Sequence, residues 1–358
     1  MDFILLRSRG QVPALSPAAA ELIREVIDSP DATYTPEYFL PRLHRDAEPR
    51  VVTGYEAGRL ACILYTYEIT AFGLRTGFVF GGDQMGRGLL VCDAGNESET
   101  LAGCCNFLLE NGIHAMRFDW TPRRPAANPD LRGQRPSARV KVVPDPRTEG
   151  DWLHLQPTYD AFLAQLGPHT RRNLRYYRRK AEAAGLSYSG MLGPGDSREA
   201  LRFLNRLADY PMEPGRLARD KRYMAGFGTP VIAGLRSQDG DFVSLVTGFT
   251  AGSHLHILTQ LNGEDPALRK LSLSLVLRGY LIEDFIQRGF TAVHFLQGSS
   301  PMLGRFCAPV DLHHIAIDDT SFLMTPFKQA CSSLAGILHR QGKRVPYRLQ
   351  WAAGSYWA

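Results

Sequence analysis

Asn111-Gly112-Ile113-His114-Ala115-Met116-Arg117-Phe118 and Arg288-Gly289-Phe290-Thr291-Ala292-Val293-His294-Phe295 align without a gap. In each, an apolar helical run stops on a glycine and an apolar strand follows at once. Glycine suits the left-handed residue that ends a helix, so both segments read as helix, stop, inner strand. Upstream, the helical runs are Glu97–Asn111 and Leu271–Arg288. A hairpin precedes each. One joins Arg50–Tyr55 to Arg59–Thr70 through Glu56-Ala57-Gly58, and the other joins Val231–Arg236 to Phe242–Thr250 through Gln238-Asp239-Gly240. The same order of elements twice in one chain predicts a duplicated α/β unit.

Working outward, Phe3–Leu6 reads as a strand. Ser16-Pro17 and Thr35-Pro36 each open a helix with a cap residue and a proline in the first turn. Arg75–Phe80 and Ala115–Trp120 are further strands, with the glycine-rich stretch Gly81–Gly88 between them. Thr121–Gly150 changes character. It holds many prolines and arginines and little periodicity, and reads as a connector with one short strand at Val140–Val143. The second half opens with Pro157–Leu166 and a basic helix, Arg171–Ala184, stopped by Gly185. His254–Leu261, Ala292–Gln297 and Val310–Ile317 read as strands, and helices are expected around Ser197–Asp209 and Pro326–Arg340. The expected domains are therefore residues 1–120 and 151–358, joined by 121–150.

Bulk properties fit that division. A chain of 358 residues exceeds one ordinary core, and 44% hydrophobic with 22% charged residues is a globular composition. No run approaches the 18 or so apolar residues of a membrane helix, and the N-terminal residues lack a secretory pattern. Cys62, Cys92, Cys104, Cys105, Cys307 and Cys331 form no C-x-x-C pair and read as free thiols of a cytoplasmic protein. A net charge of +5 favours anionic ligands or surfaces only weakly.

Two features bear on chemistry. Arg171, Arg172, Arg175, Arg178, Arg179 and Lys180 lie within one helical stretch, with Arg171, Arg175 and Arg178 at i, i+4 and i+7. The stripe is either a solvated face or a clamp for the phosphates of a coenzyme, a lipid or RNA; Tyr176 and Tyr177 interleave it. The second feature is the turn before the long helix of the second half, around Arg269-Lys270-Leu271-Ser272-Leu273-Ser274. Free N–H groups at a helix start bind anions, and small serines permit close approach; the same residues also suit an ordinary helix start. His254, His256 and Gln260 alternate along one strand and are expected on one polar face. No histidine set has metal-ligand spacing, and no metal is expected.

The chain resembles the GNAT-superfamily domain of CelD-like cellulose-biosynthesis proteins, related to the Fem-type peptidyltransferases. Four segments carry the resemblance: the basic helix ending Lys180-Ala181-Glu182-Ala183-Ala184-Gly185, the hairpin at Asp239-Gly240, the helix Leu271–Gly289, and His294-Phe295-Leu296-Gln297-Gly298-Ser299-Ser300-Pro301. It implies an α/β (α+β) fold of tandem GNAT-like domains, each a mixed, mostly antiparallel sheet flanked by helices. It implies N-acyl transfer from acyl-CoA, as co-substrate, to an amine acceptor that is a small molecule or a cell-envelope precursor. Arg269, Lys270, Leu271, Ser272, Leu273 and Ser274 then take the pyrophosphate-loop position, with serines at both small positions. His294 is the candidate base and Tyr280 the candidate acid for the leaving thiolate. Arg171, Arg175, Arg178, His256, Gln260 and Gln297 are the expected substrate contacts. The sequence departs from relatives at His294, where they carry aspartate, and at Met302-Leu303, where they carry Tyr-Lys. Two other functions stay open: an aminoacyl-tRNA-dependent transferase whose basic helix grips tRNA, and a non-catalytic binding protein of the same fold.

Overall fold

Both helix stops form as the aligned segments predict. Gly112 and Gly289 have φ of 82° and 81°. In each case the next residue's N–H reaches back to the last turn, Ile113 to the Leu108 carbonyl at 3.1 Å and Phe290 to the Phe285 carbonyl at 3.0 Å. That bond satisfies a carbonyl left over at the helix end and turns the chain into the next strand. The computed structural model describes residues 1–27, 31–43, 47–71, 74–83, 86–123, 138–191, 202–203, 222, 229–263, 265–296 and 301–319.

In the first half, β1 (Asp2–Leu6), α1 (Ser16–Val26) and α2 (Pro36–Arg42) precede β2 (Ala47–Pro49), β3 (Val51–Glu56), β4 (Arg59–Leu64), β5 (Thr66–Ala71) and β6 (Leu74–Gly81). The short β7 (Leu90–Val91), α3 (Glu97–Glu110) and β8 (Ala115–Trp120) follow. A long strand, β9 (Ala138–His154), leads into the second half: α4 (Tyr159–Gln165), α5 (Pro168–Ala183), β10 (Ser187–Ser189), β11 (Thr229–Arg236), β12 (Phe242–Ala251) and β13 (His254–Asn262). Last come α6 (Leu273–Gln287), β14 (Ala292–Phe295), α7 (Pro301–Gly304) and β15 (Ala308–Asp319).

The duplication is visible in the pairing. β6 and β8 are parallel with α3 as their crossover, and β13 and β14 are parallel with α6 as theirs. Their other described neighbours pair antiparallel. Each half keeps its own core. Leu101, Leu108, Phe118 and Trp120 are buried in the first, and Leu174, Leu277, Phe285 and Phe295 in the second.

The expected connector is corrected in part. Residues 138–150 belong to β9, which pairs with β15 from Ala138 to Arg147 and with β14 from Trp152 to His154. β15 pairs in turn with β8, so one 11-stranded sheet runs β10-β11-β12-β13-β14-β9-β15-β8-β6-β5-β2. A four-stranded sheet, β1-β3-β4-β7, adjoins it. The prolines explain the misreading. Pro144 and Pro146 lie two apart, so both imide nitrogens face the same side of the strand, a pattern tolerated where no partner is needed. Over that stretch the described partner is β15 alone. Ile315 and Ile317 of β15 are buried in the first half's core, so a strand from the end of the described chain completes the sheet of the beginning. The helices expected near Ser197–Asp209 and Pro326–Arg340, and Cys331, fall wholly or mostly outside the described residues.

Candidate functional site

The parallel pair β13–β14 holds for four residues, from His254 opposite Ala292 to Ile257 opposite Phe295. β13 then runs on to Asn262, beyond the last residue paired with β14, and the Leu296 N–H donates to the Ile257 carbonyl at 3.2 Å. A bulge sits at the same place. Thr247 pairs with Thr259 and Gly248 with Ile257, which leaves Leu258 as the extra residue. Gly248 permits it, since a Cβ there would lie 2.2 Å from the His256 carbonyl oxygen.

The bulge corrects the expectation that His254, His256 and Gln260 share a face. An extra residue reverses the alternation of side chains. Gln260 turns toward α6, where its Nε2 donates to the Ser274 carbonyl at 3.1 Å and its Oε1 accepts from Arg278 Nε at 2.6 Å. His256 lies on the other face, stacked on Phe249 with ring centroids 4.8 Å apart.

The turn expected to receive pyrophosphate follows β13 and leads into α6. Arg269–Leu271 form a 3-10 turn, Ser272 is left-handed at φ 49° and ψ 52°, and α6 begins at Leu273. Left-handed backbone is costly for a residue with a Cβ. No side chain caps the helix. Leu275 and Val276 donate their N–H groups to the Ser272 carbonyl, and the earlier amides of the first turn belong to the helix end that such bonds do not reach. Ser274 Oγ accepts from Asn262 Nδ2 at 2.6 Å, and Asn262 Oδ1 accepts from Ser244 Oγ at 2.7 Å, so the helix start is pinned to the sheet.

On the face of the sheet away from α6 lies a buried polar chain that crosses between the halves. Asp151, His256 and His294 are each 0% exposed. Arg87 Nε and Nη2 donate to the two Asp151 carboxylate oxygens at 3.0 and 2.9 Å, a bidentate pair. His294 Nε2 is 2.8 Å from Asp151 Oδ2, and His294 Nδ1 is 3.3 Å from His256 Nδ1. His256 Nε2 has no partner. With Asp151 ionised, one tautomer set satisfies every contact: His294 Nε2–H donates to Asp151, and His256 Nδ1–H donates to the His294 Nδ1 lone pair. The one atom left over is the His256 Nε2 lone pair. Burial pushes the Asp151 carboxyl up, but the imidazole of His294 and the guanidinium of Arg87 outweigh it and hold the group below the usual carboxylate range. Burial, and then the neighbouring His294, His254 and Arg87, push His256 well below the ordinary histidine value, so it is neutral. Trp152 closes the site, 4.8 Å from the His294 ring.

Other expected residues lie elsewhere. Tyr280 is on the outer side of α6 and faces α5: its hydroxyl donates to Glu182 at 2.6 Å, its ring stacks on Tyr188, and Arg178 lies 4.0 Å above it. Burial and the Glu182 bond raise its pKa to about 12. Tyr280 therefore lies on the face of the sheet opposite His294, engaged with α5 and Tyr188. Arg178 is spent on Glu182 and Glu283, so it ties α5 to α6 and separates from the stripe. Arg171 is half-buried, and Arg172, Arg175, Arg179 and Lys180 are exposed. Gln297 lies outside the described residues. Among the described residues no group of three or more His, Cys, Asp or Glu is placed to hold a metal ion, and no helix is long and apolar enough to cross a membrane. Cys62, Cys92, Cys104, Cys105 and Cys307 are buried free thiols.

Arg87, Asp151 and Arg278 escaped the sequence reading. Arg87 hid in a glycine-rich stretch, between Gly86 and Gly88 with φ of 71° and 65°. Asp151 hid at the edge of an apparent connector. Arg278 left one visible signal, a lone cation in the run Leu273-Ser274-Leu275-Val276-Leu277-Arg278.

Residues 168–302 match the acetyltransferase (GNAT) domain family, so the matched stretch runs from the start of α5 to α7. No curated protein matches the chain in sequence. Among solved structures, the chain is similar to FemX at 9% identity, with a TM-score of 0.56 over 88% of this chain and 97% of that one. It is similar to L-PGS from Bacillus licheniformis at 13% identity, with a TM-score of 0.50 over 87% of this chain and 94% of that one. At those identities the likeness is one of fold.

Proposed function

We propose that the chain is an N-acyltransferase whose activated acyl donor, an acyl-CoA thioester, lies where the pairing of β13 with β14 ends. The observation that carries this reading is the end of the β13–β14 pairing at Ile257 and Phe295 while β13 runs on to Asn262, with the uncapped start of α6 following it in the chain. Such a start offers amide donors and the positive end of the helix dipole to a pyrophosphate. Arg269 and Lys270 add cations on the turn. A main-chain N–H of β13 past Ile257 polarises the thioester carbonyl.

The amine acceptor must shed a proton as it attacks. His294 has both ring nitrogens engaged and does not meet the acceptor. His256 Nε2 takes that part. It accepts the proton, passes its Nδ1 proton to His294, and leaves an imidazolium beside Asp151, whose charge stabilises it. The bond formed joins the amine nitrogen to the acyl carbon; the bond broken frees coenzyme A thiolate.

Isothermal titration with a non-hydrolysable acyl-CoA analogue tests the donor site. Binding by the wild type and its loss in Ser272→Trp, whose indole fills the phosphate volume, is the expected result. Arg269→Ala should cost about 1–3 kcal/mol through one charge-assisted bond. Unaltered affinity in Ser272→Trp would overturn the assignment.

A second reading has one observation behind it. Arg172, Arg175, Arg179 and Lys180 stand exposed along α5, beside exposed Tyr176, which suits an RNA backbone better than a small ligand. If tRNA displaces the coenzyme analogue in a salt-dependent manner, the donor is an aminoacyl-tRNA. The cytoplasmic setting and the envelope-precursor acceptor stand with this proposal.

A further inference from the structure

Among the described residues, four largely buried arginines pair with carboxylates. Arg50 pairs with Glu68, Arg87 with Asp151, Arg117 with Asp318 and Arg123 with Glu97. Arg278 differs from these four. Its Nε donates to Gln260 at 2.6 Å, its guanidinium lies 4.9 Å from the Phe295 ring centroid, and its Nη1 is buried with no partner. Burial lowers its pKa to about 10, offset only by Cys307. An arginine at that value is still a cation at neutral pH, and a buried cation without a counter-charge is costly unless a ligand supplies one.

Its place is equally specific. Phe295 is the last paired residue of β14, and Gln260 lies on β13 past the last paired residue, Ile257. The guanidinium therefore lies between the end of β14 and the continuing part of β13. Gln260 is itself held by the Ser274 carbonyl, which fixes the fork in one plane. Arg278 lies six residues into α6 from Ser272, roughly 9 Å along the axis, so it is well inside the site of any phosphate held at the helix start. A planar fork whose buried Nη1 has no partner matches a carboxylate.

We propose that Arg278 anchors a carboxylate where the pairing of β13 with β14 ends, carried either on the far end of the acyl group or on an amino-acid acceptor. The inference deepens the donor reading and names the substrate class of the same site.

Two ligand pairs distinguish the sources, measured by isothermal titration on the full chain. Glutaryl-CoA against valeryl-CoA isolates a carboxylate on the donor. Glycine against glycinamide isolates a carboxylate on the acceptor. At least a tenfold preference for the carboxylate member of one pair is expected in the wild type. Arg278→Gln should level that pair, and Arg278→Lys should keep part of the preference; the wild-type comparison stands even where a variant folds poorly. Equal binding within both pairs, or a preference that survives in a folded Arg278→Gln, overturns the anchor. Should both thioesters bind alike while glycine and glycinamide also bind alike, the anchor fails and the donor site stands. Should neither thioester bind while glycine is preferred, the anchor stands and the coenzyme reading fails.

Discussion

At the residue scale, Asp151 does two jobs at once: it neutralises Arg87 from the first half and orients His294 in the second. Asp151→Ala removes the bidentate partner of Arg87, leaving only the longer Asp31 contact at 3.8 Å, and should cost about 3–5 kcal/mol, read as a drop in urea midpoint. The pH dependence has a definite sign. His256 is held neutral in the fold, whereas in the unfolded chain it takes a proton near pH 6.5. Stability is full above that value and declines as the pH falls through it. Asp151, depressed in the fold, adds a second loss that begins near its unfolded value of about 3.9 and continues below it. Urea midpoints from pH 7.5 to 3.5 should show both, and His256→Phe, which can still stack on Phe249, should remove the first. Ser272 supplies the opposite test. Its left-handed backbone costs about 1–2 kcal/mol, and glycine gives back about 0.5–1 kcal/mol in the unfolded chain, so Ser272→Gly should stabilise by roughly 0.5–1 kcal/mol. Two members of the buried chain, His256 and His294, stood out in the sequence, but their linkage to each other, Asp151 and Arg87 did not. Arg87 is 64 residues from Asp151 and Asp151 is 143 from His294, and no local pattern reports contacts of that range.

Elements were far easier to read, since helix stops and apolar periodicity are local. The two aligned segments fold alike because their glycines meet the same need, and this can be measured. Gly112 and Gly289 share a φ near 80° with open space where a Cβ would go. Gly112→Ala and Gly289→Ala should therefore each cost about 1–2 kcal/mol from backbone strain alone. Unequal losses in denaturant melts would mean that the two stops are not structural twins. The strand carrying His254, His256 and Gln260 was placed correctly, while its faces were not. Strict alternation assumes an unbroken ladder, and the bulge that breaks it depends on a glycine in the neighbouring strand, Gly248, rather than on any residue of the strand itself.

For the whole molecule, two units were legible and their seams were not. Composition marked residues 121–150 as a connector, yet 138–150 build the strand that holds β15 in the sheet. Chain truncation after Arg305 should accordingly damage the first half as well as the second. Hydrogen exchange at residues 115–120, slow in the full chain, should become fast once β15 is gone, with Trp120 losing its buried fluorescence. Slow exchange there in the truncated chain would show that the first unit is self-sufficient. The same seam bears on how the protein is made. The Arg117 side chain reaches the Ile317 carbonyl 200 residues later, and ribosomes deliver about 5–20 residues per second. The nascent first half must therefore wait roughly 10–40 s with the edge of β8 uncovered. During that interval the growing polypeptide is open to wrong strand partners, and a chaperone bound to the emerging chain should raise the yield of native protein more than its modest size suggests.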